Sequence, residues 1–306
     1  MILWLNALSM AEPFPQDTTE QSAYRAFEAL VAEEDMAIDL TQAALLIACI
    51  EYPDLDMAHY TAQLDAFARR VRALLALPDH DVLPQLPSEV EPLAVIHALN
   101  GVLFEQERFH GNRTDYYNPA NSFLNKVLEE HTGIPISLSV LYIEVGRRVG
   151  LHIDGIGLPY HFVVRCRSSE GYVYIDVFDG GRLLDEQQCR ELIYRMRGRK
   201  VKIQAHWFEP VSHKQLLFRM LQNLKHIYLR NEAYTQVLAV CNRLLLLDPS
   251  LALEWRDRGM VHLQLKHYGR ALSDLKTYLK LAPRARDRDE IIGHIKTIRQ
   301  MISMMN

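Results

Sequence analysis

A single apolar stretch near the middle of the chain limits the possible folds more than any other feature. Residues 136–149 (ISLSVLYIEVGRRV) carry charged side chains only in their second half. A helix that is apolar on most of its faces belongs inside a domain rather than on its surface. Pro135 suits the first helical position, where its missing N–H is not needed. Gly150 suits the end, because glycine adopts the left-handed cap without strain. The sequence therefore predicts a buried central helix.

Two strand-like segments follow this helix, and a turn-forming sequence joins them. Residues 161–167 and 172–177 are rich in β-branched and aromatic side chains, and residues 168–171 between them are typical of a hairpin turn. A tight hairpin makes His161 and Asp176 diagonal neighbours, with Cβ atoms about 7–8 Å apart. An imidazole and a carboxylate reach each other over that distance. The residues expected on this face of the sheet are His161, Val163, Arg165 and Asp176.

This order of elements resembles the transglutaminase-like, papain-type superfamily. The resemblance implies a Cys nucleophile at the N-terminus of the central helix, a His as its base and an Asp that orients the His. The family pattern places the Cys position at Pro135 when it is aligned on Gly133, Ser139, Arg147 and Gly150. Proline cannot act as a nucleophile, so the chain departs from the catalytic pattern at its most important position.

Several longer phrases resemble one subfamily more closely. They are F-x-G-N (Phe109, Gly111, Asn112), YYNPANSFLN, GIPISLSVLY, PYHFVVR and YIDVFDGG. Together they are similar to the bacterial SirB family of transglutaminase-like proteins with C-terminal tetratricopeptide repeats, over almost the whole chain. The resemblance implies that loss of the Cys is a family trait and that the His161–Asp176 pair is a remnant of the catalytic set.

The C-terminal part of the chain shows a repeat. Pro249 and Pro283 are 34 residues apart, which is the tetratricopeptide period. The first unit is the weaker match, since Lys225 stands where Gly or Ala is usual. The second unit fits the repeat pattern at Trp255, Gly259, Tyr268, Ala271, Leu275, Tyr278 and Pro283.

The chain therefore predicts a predominantly helical α+β protein. We expect residues 1–108 to form a helical N-terminal segment packed on the core. Residues 109–205 form a transglutaminase-like core with a short antiparallel sheet, and residues 213–306 form two tetratricopeptide repeats with a terminal capping helix.

Three functions compete for this arrangement. In the first, which we favour, the core is catalytically degenerate and acts as a regulatory module that binds a protein or peptide through its cleft and repeats. In the second, the protein is a hydrolase or acyl transferase, with Ser137 or Ser139 as the nucleophile beside His161 and Asp176. In the third, the His–Asp pair only fixes the hairpin.

The polar, aromatic segment before the central helix allows two interpretations. Its asparagines, Asn121 among them, can satisfy backbone groups of irregular loops, which is the interpretation we prefer. Alternatively, the segment lines a cleft in front of His161, since loops on rigid scaffolds carry sites. The residues that would line this cleft are Tyr116, Tyr117, Asn121, Pro135, Tyr160 and Asp179.

Composition and charge argue against several other classes of function. A formal net charge of -4 argues against nucleic-acid binding and gives no reason to expect membrane adhesion. A basic run at residues 195–202 is more typical of a solvated helix end than of an anion patch. The four cysteines have no zinc-ligand spacing, so we expect no metal or cofactor and a reducing, cytoplasmic setting. No cation precedes the short apolar run at the N-terminus, which argues against a signal peptide. The oligomeric state is left open.

Overall fold

The computed structural model describes residues 19–78, 83, 85–198 and 201–305. Residues 1–18 of the expected N-terminal segment, and Arg199 and Lys200 of the basic run, lie outside this part. The helices are α1 (Thr19–Val31), α2 (Leu40–Ala48), α3 (Met57–Leu74), α4 (Pro92–Asn100), α5 (Leu124–Glu130), α6 (Pro135–Arg148), α7 (Glu186–Arg197), α8 (His213–Arg230), α9 (Tyr234–Leu247), α10 (Ala252–Gln264), α11 (Tyr268–Leu281) and α12 (Arg288–Met305). The strands are β1 (His110–Gly111), β2 (Thr132–Gly133), β3 (Ile153–Ile156), β4 (Val163–Ser168), β5 (Gly171–Asp176) and β6 (Arg182–Leu184).

Helix α6 is the buried centre of the fold, as its apolar sequence predicts. Pro135 occupies its first turn, and Gly150 follows its end with φ +87°. The apolar side chains expected inside are all buried, namely Ile136, Leu138, Val140, Leu141, Ile143 and Val145. The charged residue Glu144 is buried as well, and it is satisfied by Arg148 at 2.8 Å and by the Thr41 hydroxyl at 2.5 Å. Burial opposes ionisation, but Arg147, Arg148 and Thr41 outweigh it and lower the pKa of Glu144.

The sheet is antiparallel, with strand order β3-β4-β5-β6. Val164 pairs with Ile175 and Arg165 with Tyr174, which confirms the predicted hairpin register. Strand β3 was not predicted, because its glycine-rich sequence is typical of a loop. The glycine at its centre permits a close contact, since a Cβ on Gly155 would lie 2.8 Å from the Phe162 ring.

The two faces of the sheet pack differently. Phe162, Val164, Cys166 and Ile175 belong to the main core around α6. Val163 and Tyr174, on the opposite face, join Cys189 of α7 in a smaller cluster. Cys166 therefore points away from the face that carries Val163, as the alternation of a strand requires.

The repeat region is continuous with the core through its first helices. Leu217, Met220, Leu221 and Leu224 of α8 are fully buried within the main core. Helices α11 and α12 form a separate apolar cluster with each other. Within the second repeat, Gly259 lets two helices approach, because a Cβ there would lie 2.9 Å from a Leu275 methyl. The repeat region therefore packs on the core through α8 and α9, whereas α11 and α12 have an apolar cluster of their own.

Lys225 replaces the usual small residue of the first repeat for a reason that the structure makes clear. Its ammonium donates to Glu254 at 2.8 Å and to Asp257 at 2.9 Å, across the gap between α8 and α10. Both Lys225 and Glu254 are buried. An ion pair thus joins the two helices where a Gly or Ala would let them touch.

Among the described residues, none of the helices combines the length and the apolar character that crossing a bilayer requires.

Candidate functional site

The predicted His–Asp pair is formed. His161 Nε2 and Asp176 Oδ1 are 3.0 Å apart, and both side chains are buried. The backbone fixes the position of the histidine, since a turn with Tyr160 at φ +65° precedes it and the His161 N–H donates to Leu158 O at 3.1 Å. The geometry predicted for the pair is confirmed, and its role stays a prediction.

The same oxygen of the Asp176 carboxylate accepts a second hydrogen bond. The backbone N–H of Asp179 donates to Asp176 Oδ1 at 3.3 Å, so the turn after β5 closes around the carboxylate. With Nε2 paired to a carboxylate, the neutral ring carries its proton on Nε2 and leaves Nδ1 as an acceptor. Within the described residues, Nδ1 makes no hydrogen bond. The pair therefore presents one imidazole nitrogen for a further partner.

Two aromatic rings cover the histidine. Phe178 packs edge-on against His161 with ring centroids 6.1 Å apart, and Tyr116 packs against Phe178 at 6.2 Å. Phe178 is seated on Gly111, where a Cβ would lie 2.4 Å from the ring. The parallel bridge between β1 and β2 joins Gly111 to Gly133, just before the central helix. These contacts hold the aromatic cover against the N-terminal end of α6.

Neither serine is brought to the histidine. The Ser137 hydroxyl donates to Asn121 O at 2.5 Å and accepts from the Ile134 N–H at 3.1 Å. The Ser139 hydroxyl donates back to Pro135 O at 2.7 Å, as serines inside helices commonly do. Both serines are buried, and both hydroxyls donate to backbone carbonyls instead of to His161. Their role as alternative nucleophiles stays a prediction.

No thiol among the described residues has the character of a nucleophile. All four cysteines are buried. Burial raises the pKa of Cys166 to about 11 and those of Cys189 and Cys241 to about 12. A thiol with such a pKa is almost entirely protonated near neutral pH, and the thiolate is the reactive form.

A shallow cavity of about 400 Å³ opens beside Phe178. Arg113 lies on its rim, pairs with Asp179 at 2.9 Å and stacks over the Phe178 ring at 5.0 Å. The backbone of the turn after β5 forms one wall and the segment after β1 the other. The lining residues are His110, Gly111, Asn112, Arg113, Thr114, Phe178, Asp179 and Gly180.

The predicted cleft residues divide into two groups. Asn121 and Pro135 are buried and cannot line an open cleft. The asparagines instead satisfy the loop, as preferred from the sequence, and Asn121 Nδ2 donates to Asp115 O at 2.7 Å. Tyr116, Tyr117, Tyr160 and Asp179 are exposed near the site. Tyr160 is held by Arg197 of the basic run, whose guanidinium donates to its hydroxyl at 3.2 Å.

Arg219 of α8 is a site residue that the sequence did not reveal. Its Nη2 donates to His161 O at 3.2 Å, and its guanidinium lies 5.0 Å from the centre of the Phe162 ring. A contact between residues so far apart in the chain leaves no local signal. Within the described part of the chain, groups of three His, Cys, Asp or Glu side chains arranged to hold a metal ion are absent.

Comparison with known proteins agrees with this architecture. The family model of the transglutaminase-like superfamily matches residues 58–222, more than half of the chain. A tetratricopeptide repeat model matches residues 224–292. A UPF0162 protein of Xylella fastidiosa strain Temecula1 is 36% identical over 273 residues, which cover 87% of this chain and 92% of that protein. The chain belongs to the UPF0162 family of transglutaminase-like proteins.

Two other similarities are more limited. F-box only protein 21 of Mus musculus is 39% identical over 138 residues, which cover 42% of this UPF0162 chain and 21% of the mouse protein. A crystal structure of menin superposes with a TM-score of 0.37 and 11% sequence identity. The match covers 91% of this chain and 74% of the menin chain. That structural likeness is too weak to carry an argument. The tetratricopeptide repeats indicate a module for protein–protein interaction.

Proposed function

We propose that this UPF0162 protein is a catalytically degenerate transglutaminase-like protein of the bacterial SirB group. In this proposal it acts in the cytoplasm as a regulatory module that binds a protein or peptide through its cleft and repeat tail. It carries out no acyl transfer. The oligomeric state does not enter the proposal.

One observation carries the proposal more than any other. Pro135 fills the position from which a nucleophile would attack, and it is buried in the first turn of α6. Acyl transfer by this type of site needs a side chain that the His can deprotonate. Within the described residues, no hydroxyl or thiol hydrogen-bonds to His161. A base without a nucleophile supports recognition rather than covalent chemistry.

The surface in front of the pair supports a binding role. Tyr116 and Tyr117 are 38% and 54% exposed, and Tyr160 is 68% exposed. Exposed aromatic rings are enriched in protein recognition surfaces. His161 Nδ1 offers a hydrogen-bond acceptor to an amide or hydroxyl group of a ligand. The repeats supply a second surface whose usual role is protein binding.

The proposal is tested by asking whether the protein retains peptides and whether it changes them. A mixture of random decapeptides is held with the protein over an ultrafiltration membrane, with a matched sample that lacks protein. Retained peptides are identified by mass spectrometry. We expect a subset to be retained and recovered at unchanged mass. Recovery of cleaved, deamidated or cross-linked peptides contradicts the absence of catalysis, and retention of none contradicts peptide binding.

A further inference from the structure

One face of α8 carries cations that meet the exposed tyrosines of the core. Arg230 lies 4.6 Å from the centre of the Tyr117 ring, and the His226 ring lies 6.2 Å from it. Arg219 is close enough to Tyr116 for each side chain to shift the pKa of the other. These five residues form a continuous strip between the repeat helix and the loop before α6. We call it the tyrosine–arginine seam.

The cations of the seam have no acidic partners. Among the described residues, no carboxylate oxygen lies within 4.0 Å of the Arg219 or Arg230 guanidinium. On the adjoining face of the same helix, Lys225 is matched by Glu254 and Asp257. The lack of acidic partners therefore distinguishes the face that carries Arg219 and Arg230 from the face that carries Lys225.

Arg219 is the arginine whose environment indicates most clearly which kind of ligand the seam would bind. A guanidinium has five N–H donors, and Arg219 uses Nη2 on His161 O, with no other acceptor among the described residues. Burial lowers its pKa, and the nearby Tyr116 only partly opposes this effect. A partly buried cation without a counter-ion is unfavourable. An incoming carboxylate would satisfy both its charge and its remaining donors.

The position of Arg219 links the seam to the His–Asp pair. Its guanidinium is fixed on the backbone carbonyl of His161, so an anion bound there lies beside the backbone of the residue that carries the imidazole. Gly157 makes room for this arrangement, because a Cβ at that position would lie 2.7 Å from Arg219 Nη1. A larger residue at position 157 would therefore crowd the guanidinium of Arg219.

We propose that the tyrosine–arginine seam binds an acidic, extended peptide segment of a partner protein. This inference rests on the proposed function and adds the chemistry of the partner. The peptide's carboxylates pair with Arg219 and Arg230, and its backbone or apolar side chains pack on Tyr116 and Tyr117. Paired guanidinium and carboxylate groups form the strongest hydrogen bonds available to such a surface.

The geometry sets a spacing for the acidic residues. Arg219 and Arg230 are eleven positions apart on α8, which is about 16 Å along a helix axis. An extended peptide advances about 3.3 Å per residue. Acidic side chains about five residues apart therefore match the two guanidinium groups. The net charge of -4 gives the whole protein no general attraction for an acidic peptide, so binding depends on these local cations.

The test uses fluorescein-labelled decapeptides of Gly and Ser with two Glu residues five positions apart. Matched peptides carry the two Glu residues two positions apart, or two Gln, two Lys or two Leu residues five positions apart. Fluorescence anisotropy gives the dissociation constant on the full-length protein near physiological salt. We expect the widely spaced Glu peptide to bind most tightly and its affinity to fall as salt is raised.

Substitutions locate the site. Arg219→Gln is expected to weaken binding of this peptide about tenfold or more, as for loss of a charge-assisted hydrogen bond. The exposed Arg230→Gln is expected to weaken it about two- to fivefold. Arg167→Gln is the matched control, because it removes the same charge from an exposed position near the end of β4 and outside the seam. It should leave affinity unchanged. Gly157→Ala keeps the charge but displaces Arg219, and it should resemble Arg219→Gln.

Folding is checked for every variant by circular dichroism, and Arg230→Gln keeps the test decisive even if Arg219→Gln does not fold. Equal effects of Arg230→Gln and Arg167→Gln would overturn the inference. So would preferential binding of the Gln, Lys or Leu peptide, although that result would leave the proposed binding function standing. Binding of none of these peptides would overturn the acidic-peptide inference alone, because the random-mixture experiment decides peptide binding independently.

Discussion

Removal of the Lys225 ammonium tests the strongest energetic statement that this structure permits. The substitution Lys225→Met keeps the length of the side chain and leaves Glu254, which is 4% exposed, without its cation. Gln222 Nε2 at 2.7 Å and the Cys241 thiol at 3.9 Å still donate to Glu254, and neither carries a positive charge. Loss of one member of a buried ion pair typically costs about 3–5 kcal/mol. Because Asp257 also has Arg256 as a partner, we expect a value near 3 kcal/mol.

Hydrogen exchange of the α10 amides measures this loss where it occurs. Protection should fall by about two orders of magnitude at 25 °C, the equivalent of about 3 kcal/mol. The double variant Lys225→Met/Glu254→Gln is the matched control, since it removes both charges and keeps a side chain that bonds to Gln222. It should recover most of the protection. A loss below about 1 kcal/mol in the single variant, or no recovery in the double variant, would refute the reasoning.

Two further predictions follow from particular contacts. Gly259→Ala should destabilise the repeats by about 1–3 kcal/mol in urea denaturation through overpacking, whereas Gly269→Ala, with no atom within 4 Å of the new methyl, should not. Burial lowers the pKa of His262 from 6.5 to about 4. As pH falls from about 6.5 towards 4, the histidine of the unfolded chain is protonated before that of the folded chain, so the free energy of unfolding decreases. Urea denaturation of His262→Gln should show a smaller dependence of this free energy on pH over the same range.

Features with a local cause were predicted well from the sequence. Helix α7 (Glu186–Arg197) begins where Asp185 and Gln188 form a capping box, a pattern that can be seen in the sequence alone. The hairpin register and the His161–Asp176 pair follow from a short turn and the alternation of two strands. The burial of α6 follows from its composition. Each of these depends on residues that are close in the chain.

Features that depend on distant contacts were missed. Strand β3 forms because β4 offers an edge to a glycine-rich segment, which has little tendency to form a strand alone. Arg219 reaches His161 only because α8 docks on the core. From the sequence, Lys225 was only a departure from the repeat pattern. Its ion pair with Glu254, in the next repeat, could not be seen there. The bond from the Ser137 hydroxyl to Asn121 O joins residues 16 positions apart, and no local pattern predicts it.

The role of α8 connects these observations. Its sequence pattern is that of a tetratricopeptide repeat, and its apolar side chains are buried in the main core. It also contributes Arg219, which bonds to His161. A partner bound along the seam would contact the loop before α6 and the repeat region at once. Such a contact would join the two halves of the chain in one recognition surface.

The central claim, a retained His–Asp pair without a nucleophile, is tested most directly by active-site labelling. The pure protein and His161→Ala are treated side by side with a fluorophosphonate and with iodoacetamide, and intact mass is followed over time. Our account predicts slow labelling at equal rates in both proteins, with no stoichiometric adduct on a serine or cysteine. A rapid adduct of one reagent molecule per chain, lost in His161→Ala, would reveal a working nucleophile and contradict the account.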